Sequence, residues 1–140
     1  MFLFGGYQDP KKIAKIDECL IEDTGKRLIN DFYAGTGSLI TIPEVVEETV
    51  LCNSDSAALK CESFNGETIR AISDVKVQHK RACMSLYHGQ AAIIAGYQSS
   101  SVEILEFSGW QDLTTHPGGS KFYYHTCAST EDGIITRPRT

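Results

Sequence analysis

Short runs of apolar or alternating residues, separated by turn-forming clusters, fill most of the chain. Three clear runs are residues 49–52, 91–94 and 102–107. Such runs of four to eight residues are typical of β-strands. Asn65-Gly66 and Asp132-Gly133 are among the dipeptides that favour tight turns between strands. The pattern predicts many short strands joined by short turns.

The pattern of residues also repeats along the chain, with a period of 43 to 44 residues. In the two clearest copies the matched positions are residues 50–53 with 93–96, Phe64 with Phe107, Gly66 with Gly109, and Cys83 with Cys127. A more diverged copy comes earlier, because Gly6-Tyr7-Gln8 recurs as Gly96-Tyr97-Gln98. A period of this length is typical of repeat architectures such as propellers and solenoids.

The best-defined copy contains four strand-like runs, at residues 82–87, 91–95, 102–107 and 110–113. Four strands per period predict a propeller blade, whereas helical arrays of similar period need long stretches of 3.6-residue periodicity. The segment from Ile13 to Glu22 also has apolar residues at the spacing of a short amphipathic helix. We expect a strand there because the repeat requires one.

These residues resemble the kelch repeat, in which an apolar strand ends in paired glycines and is followed by strands that carry an aromatic residue and a Trp. Residues 2–7, which include Gly5-Gly6, resemble the glycine strand. Residues 102–107, followed by Trp110 and Leu113, resemble the two later strands. At the position of the paired glycines the other copies have Asn53-Ser54 and Gly96-Tyr97.

The resemblance implies an all-β fold, a partial β-propeller of about three four-stranded antiparallel kelch-like blades. The blades would span approximately residues 1–35, 36–78 and 79–122, with 123–140 starting another blade. Trp110 would then be a core wedge between blades rather than a platform for a ligand. A small β-sandwich or barrel with accidental self-similarity is the alternative fold.

Three blades are fewer than the four to eight with which propellers usually close. The chain would be a fragment of a longer protein, an open partial propeller, or one of several chains that complete a ring together. We expect a fragment. Unclosed blade edges would also allow the chain to associate with itself.

Composition narrows the classes of partner. The 140 residues include 41% hydrophobic and 22% charged side chains, as in an ordinary globular protein. Thirteen basic against 18 acidic residues give a net charge of -5, so nucleic acid and anionic membranes are not expected partners. The chain has no apolar stretch of about 20 residues, and residues 1–6 lack the basic flank and the length expected of a signal peptide.

Five cysteines, an odd number at irregular spacing, weakly favour a reducing compartment such as the cytoplasm. Cys52 and Cys61 lie on successive predicted strands and would either form a bridge or be two small core residues, which is the interpretation we favour. Cys83 and Cys127 are interpreted as small core residues of inner strands.

Candidate contact residues lie in the connections at about residues 73–81 and 114–125. The two sets that occupy matching places in successive copies are His79, Lys80 and Arg81, and Tyr123, Tyr124 and His125. In a propeller these connections would present side chains to a partner. A solvated turn with aromatic packing is the alternative interpretation.

The function expected from these features is a non-catalytic protein–protein interaction module that uses no cofactor and no metal. The sequence has no nucleophile elbow, no phosphate-binding glycine loop, and no histidines at metal-binding spacing. The alternative is part of a propeller enzyme, resembling galactose oxidase or a sialidase, whose catalytic residues lie outside this chain.

Overall fold

The structure is a computed structural model that describes residues 1–33, 36–52, 59–118 and 126–137. Within these ranges the chain contains thirteen β-strands and no helix. The strands form four antiparallel sheets in chain order, with three, four, four and two strands, which we number 1 to 4. The predicted all-β class is therefore confirmed.

Sheet 1 contains β1 (Phe2–Phe4), β2 (Lys12–Asp17) and β3 (Leu20–Arg27). The prediction of a strand rather than a helix from Ile13 to Glu22 is confirmed, but the segment contains parts of two strands in a hairpin that reverses at Glu18, where φ is 52°. Ile16 pairs with Ile21 across the two strands of this hairpin. The helix-like spacing of Ile13, Ile16 and Leu20 therefore combines two residues of β2 with one of β3.

Sheets 2 and 3 are four-stranded meanders with the same strand order. Sheet 2 contains β4 (Ser38–Ile42), β5 (Glu48–Cys52), β6 (Cys61–Phe64) and β7 (Ile69–Ile72). Sheet 3 contains β8 (Cys83–Tyr87), β9 (Gln90–Ile94), β10 (Ser101–Glu106) and β11 (Gly109–Thr115). The four strands predicted between residues 82 and 113 are confirmed to within two residues at each end.

Sheet 4 contains β12 (Thr126–Thr130) and β13 (Gly133–Arg137), which pair as a hairpin. Each sheet packs against the next, and β8, the first strand of sheet 3, contacts both β4 and β12. The apolar residues between sheets 2 and 3 include Val50, Met84, Ile93 and Trp110. The core of the molecule is thus a series of layers between successive sheets.

Trp110 is confirmed as a core residue. Its side chain is 2% exposed in the layer between sheets 2 and 3. Its indole N–H donates a hydrogen bond of 3.0 Å to the carbonyl oxygen of Ser73, in the connection between these sheets. The buried ring therefore satisfies its one polar atom while it fills the layer.

The structure corrects the alignment of the repeat at β5 and β9. Leu51 packs towards sheet 1, and its counterpart Ile93 packs towards sheet 2, so each faces the preceding sheet. The sequence alignment instead matched Val50 with Ile93. Successive strand residues point to opposite faces, so an error of one residue exchanges the two buried faces.

The predicted match of Phe64 with Phe107 is also wrong. Phe64 is buried and pairs with Ile69, whereas Phe107 is fully exposed in the turn after β10. Leu105 takes the place of Phe64, since it pairs with the buried Trp110 in the next hairpin.

Four of the five cysteines form disulfide bonds. Cys52 and Cys61 are paired across β5 and β6 with their Cα atoms 4.2 Å apart, so the interpretation as two free core residues is wrong. Cys83 and Cys127 join β8 to β12 with Cα atoms 6.1 Å apart. The interpretation of this second pair as unbonded core residues is likewise wrong, because their side chains meet in the layer between sheets 3 and 4.

Candidate interaction surface

Two kinds of loop meet at one edge of the sheets. The connections that cross from one sheet to the next, residues 28–33 and 73–82, lie against the loop between β1 and β2, residues 5–11, and the loop between β9 and β10, residues 95–100. Backbone hydrogen bonds join them, from the Gly6 amide to the Phe32 carbonyl at 3.1 Å and from the Tyr97 amide to the Lys80 carbonyl at 2.6 Å. We call these four segments the linker edge.

Backbone conformation explains the close approach of the two loops. Gly5 and Gly6 have φ of 66° and 125°, and Ala95 and Gly96 have nearly the same values, 55° and 124°. Ala95-Gly96, rather than the predicted Gly96-Tyr97, is therefore the counterpart of the double glycine. A Cβ atom on Gly96 would lie 2.7 Å from the Lys80 carbonyl oxygen, so glycine is required there.

His79, predicted for a contact surface, lies in the interior, where it is 2% exposed. Its Nδ1 lies 2.7 Å from the Ala95 carbonyl oxygen, and its Nε2 lies 2.6 Å from a carboxylate oxygen of Glu103. A carbonyl oxygen only accepts hydrogen bonds, so Nδ1 is the donor. The His79 ring is therefore buried and is not part of an exposed contact surface.

Glu103, in the third strand of sheet 3, is fully buried. It accepts hydrogen bonds from the backbone amides of Lys76 at 2.8 Å and Val77 at 3.3 Å, besides the contact with His79. Burial opposes its ionisation, but the hydrogen bonds from His79 and from the two amides outweigh burial and lower the pKa of Glu103. The buried carboxylate thus accepts from two backbone amides and lies within hydrogen-bond distance of the buried His79 ring.

Glu62 occupies the same position in sheet 2 and is 3% exposed. It accepts hydrogen bonds of 3.0 Å from the amides of Ile29 and Asn30 and from the Asn30 side chain. In both sheets a buried glutamate on the third strand thus fastens the connection that enters the sheet. Sequence reasoning missed this role because an acidic residue that alternates with apolar residues is also expected in a strand with one solvent-exposed face.

Lys80 and Arg81 are half-buried on the linker edge. Arg81 has a φ of 59°, and its backbone amide donates to the Thr36 carbonyl oxygen at 3.1 Å. Its guanidinium carbon lies 5.9 Å from the centroid of the Tyr97 ring, within the range of a cation–π contact. The part that Lys80 and Arg81 would have in partner binding stays a prediction. Tyr123, Tyr124 and His125 lie outside the described residues.

The linker edge exposes two tyrosines that sequence reasoning did not propose as contact residues. Tyr7 is 93% exposed and Tyr97 is 42% exposed. Tyr7 follows the positive-φ pair Gly5-Gly6 in the β1–β2 loop, and Tyr97 follows Ala95-Gly96 in the β9–β10 loop. The repeated Gly-Tyr-Gln was the signal that could have identified them, although it was used only as evidence of the repeat. Ile29 and Val77 add exposed aliphatic area on the neighbouring connections.

His116 begins the connection from sheet 3 to sheet 4 and is 8% exposed. Its Nδ1 accepts a hydrogen bond of 2.9 Å from the Gly118 amide, so Nε2 carries the proton that is donated to Thr136 Oγ1, also at 2.9 Å. Burial lowers the pKa of His116. The neutral ring thereby ties this connection to β13.

The buried histidines and glutamates hold the connections in place through hydrogen bonds, and the exposed tyrosines provide surface for contact. Both ring nitrogens of His79 and of His116 are engaged, and the two buried glutamates each accept three hydrogen bonds. Among the described residues, no three side chains of the metal-binding types converge on one point.

The described part of the chain also has no helix with the length and apolar character needed to cross a bilayer. Comparison with protein-family models finds no match to the chain, and comparison with curated protein sequences finds none either.

Proposed function

We propose that the chain is a protein–protein interaction module built from kelch-like propeller blades, and that it contacts its partner through the linker edge. The architecture is supported by two four-stranded meanders of the same strand order, which pack face to face with their first strands adjacent. This is the arrangement of neighbouring blades in a propeller. The kelch resemblance itself rests on the residues of the glycine and Trp strands.

The exposed tyrosines Tyr7 and Tyr97 carry the functional proposal. Tyrosine and arginine are enriched at the centres of protein interfaces, where a rigid aromatic ring supplies contact area at low entropic cost. The loops that hold Tyr7 and Tyr97 are anchored by backbone hydrogen bonds to the adjacent connections. Ordered loops of this kind lose little conformational entropy when a partner binds.

Site-specific photo-crosslinking tests the proposal. A photoreactive phenylalanine analogue replaces Tyr97 in one sample and Phe107 in a second, and both are exposed to extract from the source cells. Phe107 is a matched control because it is fully exposed but lies in the turn at the opposite end of β10. We expect one protein to be crosslinked from position 97 and not from position 107.

The affinity of that protein for purified variants then gives the decisive measurement. We expect Tyr97→Ser to weaken binding by about tenfold or more, as for a residue central to an interface, and Phe107→Ser to change it by less than about twofold. Equal effects of the two substitutions, or crosslinks that do not depend on the position of the probe, would contradict the proposal.

A further inference from the structure

In the contact between sheets 3 and 4, only one of the two sheets contributes buried apolar side chains among the described residues. Between sheets 2 and 3 both sheets contribute fully buried apolar side chains, among them Val50 and Trp110. Between sheets 3 and 4 the buried residues Ile94, Ala95 and Val102 all come from the sheet 3 side. The described residues of sheet 4 contribute only the partly buried Cys127 and Ile134.

Hydrogen bonds supplement this small apolar contact. Ser129 Oγ lies 2.6 Å from Ser85 Oγ and from the Leu86 carbonyl oxygen, and it accepts from the Leu86 amide at 2.9 Å. Ser129 is exposed, and neutral hydrogen bonds that compete with water contribute modestly to stability. The disulfide bond between Cys83 and Cys127 cross-links these two sheets in addition to the chain that connects them.

We propose that the disulfide bond of Cys83 and Cys127 is the fastening that holds the β12–β13 hairpin on sheet 3, and that the chain matures in an oxidising compartment. This inference is independent of the proposed interaction function. It replaces the weak expectation of a reducing compartment, which rested on the odd number of cysteines. Two disulfides account for four of the five cysteines and leave the exposed Cys19. Stable disulfides of this kind persist in oxidising compartments.

The bond forms by thiol–disulfide exchange with a small-molecule or protein disulfide. One cysteine, as its thiolate, attacks a sulfur of that disulfide and releases one thiol. The second cysteine then loses its proton and displaces the remaining thiol from the mixed disulfide. Two protein thiols are oxidised to one disulfide while the external disulfide is reduced to two thiols.

The two bridges differ in their access to solvent. Cys52 and Cys61 are each 2% exposed, whereas Cys83 and Cys127 are only partly buried. Exchange requires the attacking thiolate to reach a sulfur, so the bond of Cys83 and Cys127 opens first. A change to reducing conditions would therefore release sheet 4 before it affects sheet 2.

Alkylation followed by peptide mass mapping tests the maturation. After incubation with oxidised glutathione and unfolding, we expect the reagent to label none of the four paired cysteines, whereas Cys19 should carry either the reagent or one glutathione. In glutathione buffers of increasing reducing strength, labels should appear on Cys83 and Cys127 before Cys52 and Cys61. Free Cys83 and Cys127 in the oxidised protein, or the opposite order of reduction, would overturn the proposal.

Hydrogen exchange tests the fastening. We expect exchange in residues 126–137 to accelerate by at least about tenfold in the Cys83→Ser, Cys127→Ser double variant. The control is the Cys52→Ala, Cys61→Ala double variant, in which exchange in 126–137 should stay unchanged. If the first variant does not fold, the wild-type chain reduced only at Cys83 and Cys127 gives the same measurement. Unchanged exchange in either sample would refute the fastening role.

Discussion

At the scale of single residues, the interior of the protein contains polar groups that are fully engaged. Glu103 and His79 are both almost completely inaccessible to water and satisfy each other at 2.6 Å. A buried charge of this kind is tolerated because its partner and its hydrogen bonds replace the lost water. The pair links the connection before sheet 3 to the third strand of that sheet, so it stabilises the linker edge from beneath.

We predict that Glu103→Gln lowers the free energy of unfolding by about 3 kcal/mol or more, because His79 would lose its buried anionic partner. Urea unfolding at neutral pH measures the change. Glu106→Gln is the matched control, since Glu106 lies on the same strand and is exposed. It should change stability by less than about 0.5 kcal/mol. Equal stability of the Glu103→Gln variant and the wild type would contradict the stabilising role of the buried carboxylate.

The pH dependence gives a second readout of this prediction. The pKa of Glu103 is lower in the folded chain than its ordinary value of 4.5. Its contribution to stability is therefore complete above the ordinary value and is lost as the pH falls through the lower, folded value. The wild type should lose more stability than Glu103→Gln over this acidic interval.

At the scale of strands and loops, the alternation of residues 102–107 was sufficient to predict β10. It could not reveal that Glu103 faces a buried connection, because alternation does not distinguish water from a polar interior. The apolar pattern could not fix the register of β5 against β9 either. Val50 and Leu51 are both apolar and both buried, so either could be matched with Ile93. The exposed Phe107 was matched with the buried Phe64 because hydrophobic character alone does not place a residue within a turn.

The residues that directly follow β1 and β9 have positive φ, and this conformation leads to a prediction for Gly96. We expect Gly96→Ala to lower the free energy of unfolding by about 2 kcal/mol or more, because a strained φ of 124° is combined with a collision with the Lys80 carbonyl. Gly89→Ala is the control. Gly89 also has a positive φ, of 79°, but no atom lies within 4 Å of the added Cβ, so a loss of about 1 kcal/mol is expected. Equal losses in denaturant unfolding would show that the close approach does not matter.

At the scale of the whole molecule, the four sheets repeat one mode of packing, and the first and last sheets each have one face that no described sheet covers. In sheet 1, Phe2 and Phe4 pack towards sheet 2, so the alternate residue Leu3 faces away and is 45% exposed. Ile21 is 68% exposed opposite Ile16. In sheet 4, Ile135 is 62% exposed. The period of the sequence predicted this succession of sheets, but only coordinates identify the faces left open.

We predict that these open faces make the isolated chain self-associate. Exposed apolar faces and unpaired strand edges favour contact between copies, so light scattering should give an average mass above 15.4 kDa that rises with protein concentration. Leu3→Lys combined with Ile21→Lys should reduce the average mass, because two charges would have to be buried in the contact. Val45→Lys is the control, since Val45 is fully exposed in the turn after β4 and lies on neither open face. A monomer at every concentration, or an equal effect of the control, would show that the open faces do not attract one another.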